Sequence, residues 1–508
     1  MTAAHSAEFM TMRKLSNFKR LTILLGIMTV PAAGQAASLL EVYQQALQSD
    51  PLIHEAEARR LAALEAEPQA RGVMLPQIDA SGSWDKSHTD GSGVTYAPGA
   101  NPSDPTGPPI IVPYSYQSLS RGDTKSWQVN LRQTLFRWDQ IVNLRRADKT
   151  VAKAEADREA AQQDLIIRVA NAYFAVLAAE DTLTSTHKNR QAIARQLEQA
   201  KQRYEVGLIA ITDVQESQAA HDQAVADEIQ AKRELATARE QMREITGEYV
   251  GELSAPTDEF PMRAPERNEK EWVDLALSQN LALVSSRLDE ELALDEISYR
   301  RTGHYPTVDL VASTGNQTQE SRRDTGSGYL DANSDFDSDS IGIQVTVPLF
   351  SGGYTSSRVR EAVYLHRAAR EQLQRVTRET ERQTRDAYLG VLSELSRVDA
   401  LKQAVASSRT ALEATQAGFD VGTRTIVDVL NSQFGVYRSI TLYYRARYDY
   451  LLNVLSLKQA AGNLQIEDLE EIDKWLKDRP TPEQAFAQEA AEGDEESPAE
   501  ETTESEGP

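Results

Sequence analysis

The sequence predicts a mixed α and β chain made of two tandem copies of one unit, each supplying two transmembrane β-strands and long coiled-coil α-helices. Three observations predict it. First, RYEVGLIAITDVQESQ (203–218) and GFDVGTRTIVDVLNSQ (418–433) run in step, Gly207 with Gly422, Asp213 with Asp428 and Gln218 with Gln433, at a constant offset of 215. Two copies of one corner imply two copies of whatever leads into it. Second, four stretches alternate apolar and polar residues, the period-two signature of strands with one apolar face. Third, two runs without proline, about Asp139 to Tyr204 and about Gly353 to Phe419, would each span on the order of 100 Å as helix.

At the N-terminus, Arg13, Lys14, Lys19 and Arg20 precede the apolar run LTILLGIMTV (Leu21–Val30) and the small residues PAAGQAAS. That is a secretory signal over 1–36, with Gly34 and Ala36 at the −3 and −1 positions of a cleavage site. A membrane-anchor helix is the alternative, but the run is well short of the roughly 20 apolar residues a span needs. With zero cysteines, the chain has neither disulfides nor a lipidated N-terminal cysteine. Any hold on a membrane therefore falls to strands.

At 508 residues the chain exceeds one typical domain, and its net charge of −23 argues against nucleic acid as a partner. Ten of those negative charges lie between Glu483 and the end, where there is no Lys or Arg. The segment 481–508 is acidic, low in complexity and too polar to bury a core, so it reads as disordered.

The first repeat covers 37–246 and the second 272–463. LLEVYQQALQSDPLIHEAEARR (39–60) answers WVDLALSQNLALVSSRLDEE (272–291) at an offset of 230, and Leu75-Pro76 answers Tyr305-Pro306 at the same offset. NAYFAVL (171–177) answers DAYLGVL (386–392) at 215, so the first repeat holds about 15 extra residues between these points. They fall in 88–125, rich in Gly, Pro and Ser, which reads as an external loop between strands 75–87 and 126–136. In those strands Ile78, Ala80, Gly82 and Trp84 alternate with Asp79, Ser81, Ser83 and Asp85, and Trp127, Val129 and Leu131 with Gln128, Asn130 and Arg132. In the second repeat the strands are 305–314 and 340–350 around a loop at 315–339, with Ile341, Ile343, Val345 and Val347 on one face. Four strands cannot close a barrel, and an open edge cannot sit in lipid. A soluble half-buried sheet would show the same alternation; the secretion signal favours lipid.

The rest is helical. After the second corner, Val427, Leu430, Phe434, Tyr437, Thr441, Tyr444, Tyr448, Leu451 and Leu455 step by 3 and 4, which predicts a coiled-coil seam. Ala231, Leu235, Ala238, Met242 and Ile245 do the same on the other returning helix. An ordinary amphipathic bundle helix is the alternative. The corners, 206–213 and 421–428, are then hairpin tips: Gly207 and Gly422 supply the left-handed residue that ends a helix, and Thr425 with Asp428 three residues on forms a capping box.

This organisation resembles the TolC family of outer-membrane channel-tunnels, from about Leu39 to Trp475, through VYQQA (42–46), VGLIAITDVQ (206–215), LVASTG (310–315) and VGTRTIVDVL (421–430). Lacking cysteine, it looks closer to the TolC branch than to the lipidated efflux channels. The resemblance implies a homotrimer whose pooled strands form a 12-stranded outer-membrane β-barrel above a periplasmic α-helical barrel. Asp79, Ser83, Gln128, Asn130, Gln344 and Thr346 would line a wet lumen, and Trp84 and Trp127 would sit in an interface girdle or simply pack between strands. Segments 247–271 and 464–480 would form an equatorial belt. By resemblance, Arg424, Thr212 and Asp213 latch the periplasmic entrance, and Asp428 and Asn431 form its constriction ring, where carboxylates favour cations. A solvated loop charge is the alternative for Arg424, and the capping role for Asp428. The chain departs from the family pattern twice: Asn431 replaces the second ring acid, and Phe419 replaces the tip tyrosine. Those departures predict a weaker cation bias and a looser latch.

The family function implied is a passive exit duct for drugs or proteins in tripartite efflux or type I secretion. Its partners would be outer-membrane lipid, a periplasmic adaptor and an inner-membrane RND, MFS or ABC transporter. There is no P-loop, GxSxG or HExxH, and the seven histidines show no metal-ligand spacing, so neither an enzyme nor a cofactor is expected. RGD at 121–123 and the sequon at Asn316 carry no functional weight. A coiled-coil scaffold or adhesin without a pore competes, and it would be soluble once the signal is removed. An adaptor would have one hairpin flanked by compact β-domains, whereas this chain has two hairpins with strands at the opposite end.

Overall fold

Local capping chemistry explains where several of the helices begin. The computed structural model describes residues 36–479, 481, 482 and 484, apart from 101, 102, 104, 105, 258, 259 and 325–327. Residues 1–35 of the signal segment and most of the acidic tail lie outside the described residues. Helix α1 (Leu39–Ser49) starts on a capping box in which Ser38 and Glu41 each accept the other's backbone N–H. Helix α2 (Pro51–Leu64) starts on Asp50, whose carboxylate accepts the Ile53 N–H, with proline at the first helical position. A short helix α3 (Ala66–Gly72) leads into the first hairpin.

Strand β1 (Gln77–Gly99) pairs antiparallel with β2 (Ile110–Phe136), from Gln77↔Arg132 to Gly99↔Ile110. Then come α4 (Trp138–Glu205), α5 (Ile211–Thr246), a two-residue β3 (Ala255–Pro256), α6 (Glu269–Gln279) and α7 (Leu281–Arg301). The second hairpin is β4 (Thr307–Asp324) with β5 (Tyr329–Thr346), followed by α8 (Tyr354–Asp420), α9 (Ile426–Ala461), α10 (Ile466–Asp473) and β6 (Leu476–Lys477). Equivalent caps recur: Asn280 accepts the Leu283 N–H as Asp50 does for Ile53, at the offset of 230. Gly247 and Gly462, 215 apart, both end returning helices in the left-handed conformation.

The four long strands make one antiparallel sheet in the order β1-β2-β4-β5, so the outer edges of β1 and β5 have no strand partner within the chain among the described residues. One face carries Ile78, Trp84, Trp127, Ile341, Ile343 and Val345, all exposed. The other is polar and hydrogen-bonded: across strands Asn130 donates to Asp79 at 3.0 Å and Ser83 meets Ser126 at 2.9 Å, and along β2 Gln128 donates to Asn130 at 2.7 Å. At the sheet's base, buried Asp309 receives Arg132 and Arg137 at 3.2 and 3.1 Å, tying β4 to the start of α4.

The strands are longer than the sequence predicts. Most of the expected external loops, 88–125 and 315–339, is paired strand: β1 runs to Gly99 and β2 starts at Ile110, while β4 runs to Asp324 and β5 starts at Tyr329. From Asp85 to Gly93 β1 carries no large apolar residue, so hydropathy loses its period while backbone pairing continues. Pro113, opposite Tyr96, is tolerated because β2 takes up its second partner, β4, only at Leu119.

With 68 and 67 residues, α4 and α8 each reach on the order of 100 Å. Helix α5 packs along α4 and α9 along α8, while α7 lies between α4 and α8. The α5 seam buries Ala231, Leu235, Ala238 and Met242 and continues in the same rhythm through Glu228, Ala224, Ser217 and Val214. The α9 seam is corrected near the corner: Ile426, Val429, Gln433 and Val436 are buried, whereas Val427 and Phe434 are exposed. The helix carries two neighbouring apolar stripes there, and its own chain covers the other one.

About midway along α4 the main core gathers Tyr173, Phe174 and Leu177 with Leu39, Tyr43, Leu235, Leu455 and Leu469. The segments 247–271 and 464–480 close over it: β3 pairs with β6, and the Tyr173 hydroxyl donates to the Ser254 carbonyl at 2.6 Å. Buried Asp181 accepts the Tyr448 hydroxyl and Arg479, both at 2.6 Å, while Glu180 takes Arg239 at 3.3 Å. Burial pushes both carboxyls upward, and the charge of Arg479 opposes the shift. Asp50 ends lower instead: burial would raise it, but Arg168 at 2.6 Å and the Ile53 N–H outweigh that.

Candidate functional site

The two corners share one backbone design. In the first, Gly207 has φ +75° and the Leu208 N–H returns to the Arg203 carbonyl at 2.9 Å. In the second, Gly422 has φ +77° and the Thr423 N–H returns to the Gly418 carbonyl at 2.8 Å. This six-residue closure around a left-handed residue ends each helix and satisfies carbonyls that would otherwise be free. A Cβ at either glycine would touch nothing within 4 Å, so conformation and not space demands glycine.

The onward helices start differently. Thr425 and Asp428 form a full capping box, with the Thr425 N–H and hydroxyl both 3.0 Å from one Asp428 oxygen. Those two bonds, the backbone one first and with help from the Arg424 charge, hold the Asp428 carboxyl below its usual range. At the equivalent point of the first corner Ala210 stands at the cap and makes no side-chain bond, so Asp213 has no such partner.

Thr212 is exposed in the first turn of α5, beside Asp213. Among the described residues neither bonds to Arg424 within the chain. The stem of Arg424 lies on Gly418 instead, where a Cβ would fall 2.8 Å from its Cγ. Asn431 is exposed one turn past Asp428, on the same side of α9.

What joins the two hairpins near their ends is a set the sequence did not disclose. Arg203, in the last turn of α4, donates to Asp420, the last residue of α8, at 3.1 Å. Its guanidinium also lies 4.9 Å from the Phe419 ring centre. Phe419 packs against a cluster of Ile193, Ala220, Ala224, Ile426 and Leu430, drawn from α4, α5 and α9. Two turns higher, Gln196 donates to Gln416 at 3.1 Å. Opposite charges beside the two corners were the available signal, but the repeat alignment sets Arg203 against Gly418 and so hides the pair. No cluster of His, Cys, Asp or Glu suited to a metal occurs among the described residues. None of the described helices is long and apolar enough to cross a membrane, which says nothing of strands.

Comparisons with known proteins agree in both sequence and fold. The sequence model of the family described as outer membrane efflux protein matches residues 42–248 and 272–463. Outer membrane protein TolC of Vibrio cholerae is 36% identical over 453 residues, 88% of this chain and 96% of that one. Outer membrane protein TolC of Escherichia coli K12 is 34% identical over 458 residues, 89% of this chain and 88% of that one. Alkaline protease secretion protein AprF of Pseudomonas aeruginosa is 28% identical over 474 residues, 91% of each chain. Among solved structures, outer membrane protein VceC of Vibrio cholerae matches with a TM-score of 0.65 at 19% identity, over 84% of this chain and 96% of that one. The CmeC outer membrane channel of Campylobacter jejuni matches at 0.66 and 16% identity, over 86% and 90%; likenesses so distant in sequence bear on the fold alone. A family match over most of the chain, joined to relatives above 30% identity that it covers nearly end to end, means that the chain belongs to the outer membrane efflux protein family.

Proposed function

We propose that this outer-membrane protein is the exit duct of a tripartite efflux or type I secretion system. It passively conducts drugs or proteins delivered by an inner-membrane RND, MFS or ABC transporter through a periplasmic adaptor. One observation carries the reading: a sheet with one apolar face, one polar face and two open edges stands at one end of helices about 100 Å long, whose other ends are two glycine corners. Open edges cannot remain in lipid, so copies must join edge to edge. Two copies would give about eight strands, a barrel that side chains fill; three give twelve and leave room for water. The polar face of Asp79, Gln128 and Asn130 suits that lumen.

In this homotrimer the corners form the periplasmic entrance. Arg424, whose guanidinium has no hydrogen-bond acceptor among the described residues, reaches Thr212 and Asp213 of a neighbouring copy as the latch, and Asp428 with Asn431 forms the constriction ring. The segments 247–271 and 464–480 form the equatorial belt. The reading is of a duct and not an enzyme, with energy supplied by the pump.

Single-channel conductance in planar bilayers tests it, on the assembled protein and its Arg424→Ala variant side by side. Small, stable openings that grow in the variant are expected, from assemblies that resist detergent and shift on gels only after heating. Well-folded assemblies of both forms without conductance would leave the pore-free scaffold instead.

A further inference from the structure

We propose that Arg203 is a positioning residue of the entrance gate, holding the two coiled-coil hairpins together through Asp420 and the face of Phe419. The inference rests on the gated-duct reading and names a contact inside one protomer. The Arg203–Asp420 ion pair joins the two hairpins near their ends, at 3.1 Å. Both residues are fixed by the corners themselves. Arg203 gives its carbonyl to the Leu208 N–H that closes the first corner, and Asp420 ends α8 two residues before the left-handed Gly422.

The placement of Asp420 needs a reason. A carboxylate at a helix C-terminus faces the negative end of the helix dipole, whereas Arg203 at the end of α4 suits its own. The pair supplies that reason. Phe419 adds a second tie: it packs into the cluster shared by α4, α5 and α9, while the Arg203 guanidinium approaches its ring to 4.9 Å. A phenylalanine cannot donate a hydrogen bond, so a latch built on it must use the ring. An arginine, planar and permanently charged, can engage ring and carboxylate at once. Moving one corner away from the other breaks both contacts together.

The experiment compares assembled Arg203→Ala, Asp420→Ala, Arg203→Lys and the exchange Arg203→Asp/Asp420→Arg, with Arg424→Ala as reference. Single-channel occupancy of the larger open state is recorded at low and high salt, and thermal melting checks assembly. An exposed pair permits a rise of up to about fivefold per protomer in the two alanine variants, and on the order of a hundredfold for three acting together. The lysine variant, keeping charge but losing the plane, should open partway, and the exchange should restore much of the closure. Salt should open the parent by a larger factor than Arg203→Ala, which retains only the Arg424 latch.

If the alanine variants conduct like the parent while Arg424→Ala opens, Arg203 is only a surface charge, and the gated duct stands without it. An exchange variant as open as the single changes would assign the effect to helix packing and overturn the ion-pair role. If no variant opens, Arg424→Ala included, the gate itself is refuted and this inference falls with it.

Discussion

Asp428 and Asp213 hold the same place in the two corners, but only Asp428 faces a capping threonine. Because Thr425 holds the Asp428 carboxyl down, the capped helix start is fully supported above the ordinary carboxylate pKa of about 3.9, and that support is lost only as pH falls through the lowered value. A cation preference arising at Asp428 should therefore outlast, on acidification, the titration of ordinary carboxylates, and Asp428→Asn should remove it. Reversal potentials measured down the pH scale check this; a bias that fades with ordinary carboxylates would locate its source elsewhere. Asn431→Asp should add a second carboxylate one turn on and strengthen both cation selectivity and blockade by multivalent cations, and unchanged values would show that Asn431 lies off the conduction path. At mid-height, Arg479→Ala should leave Asp181 and Glu180 undercompensated. We expect a loss of about 3 kcal/mol, at the low end for a buried pair because Arg479 keeps some contact with water, visible as a lower melting temperature. The Thr425–Asp428 box was legible in the sequence because its two partners are three residues apart. Arg203–Asp420, 217 residues apart, and Asp181–Arg479, 298 apart, were not, since no local pattern selects one such pairing over another.

Elements obey rules of different reach. The left-handed glycines could be read directly, since a helix ending before VGL or VGT has few other ways to turn. Gly422→Ala should cost about 1–2 kcal/mol at the corner, because a Cβ there has room but the wrong backbone conformation. Hydrogen exchange near Thr423 should speed up accordingly, and unchanged protection would show that the corner tolerates another shape. Strand extent could not be read, because the apolar period of β1 lapses after Trp84 while its pairing runs on to Gly99. The α9 seam was half legible. Tyr448, Leu451 and Leu455 are buried as their spacing predicts, but near the corner Val427 and Phe434 belong to a stripe that this chain does not cover.

At the scale of the whole molecule, the offsets of 215 and 230 disclosed the architecture before any contact was known, because a duplicated unit repeats its caps as well as its helices. The one inequality between the halves, about 15 residues, lies in the longer first hairpin. The bare edges of β1 and β5 also dictate an order of events. A single protomer carries two unpaired edges and an apolar face at the same moment, the condition under which sheets aggregate. Its helices carry no open strand edges and expose only narrow apolar stripes, such as Val427 and Phe434 on α9, so copies can gather through them while still in water. Assembly should therefore run from helices to strands, with encounter first and lipid insertion last. Time-resolved crosslinking during biogenesis should capture helix-linked protomers before any heat-modifiable barrel exists. In the proposed trimer the long helices would then also be the folding template of the barrel, holding three sets of strand edges within reach until the ring closes.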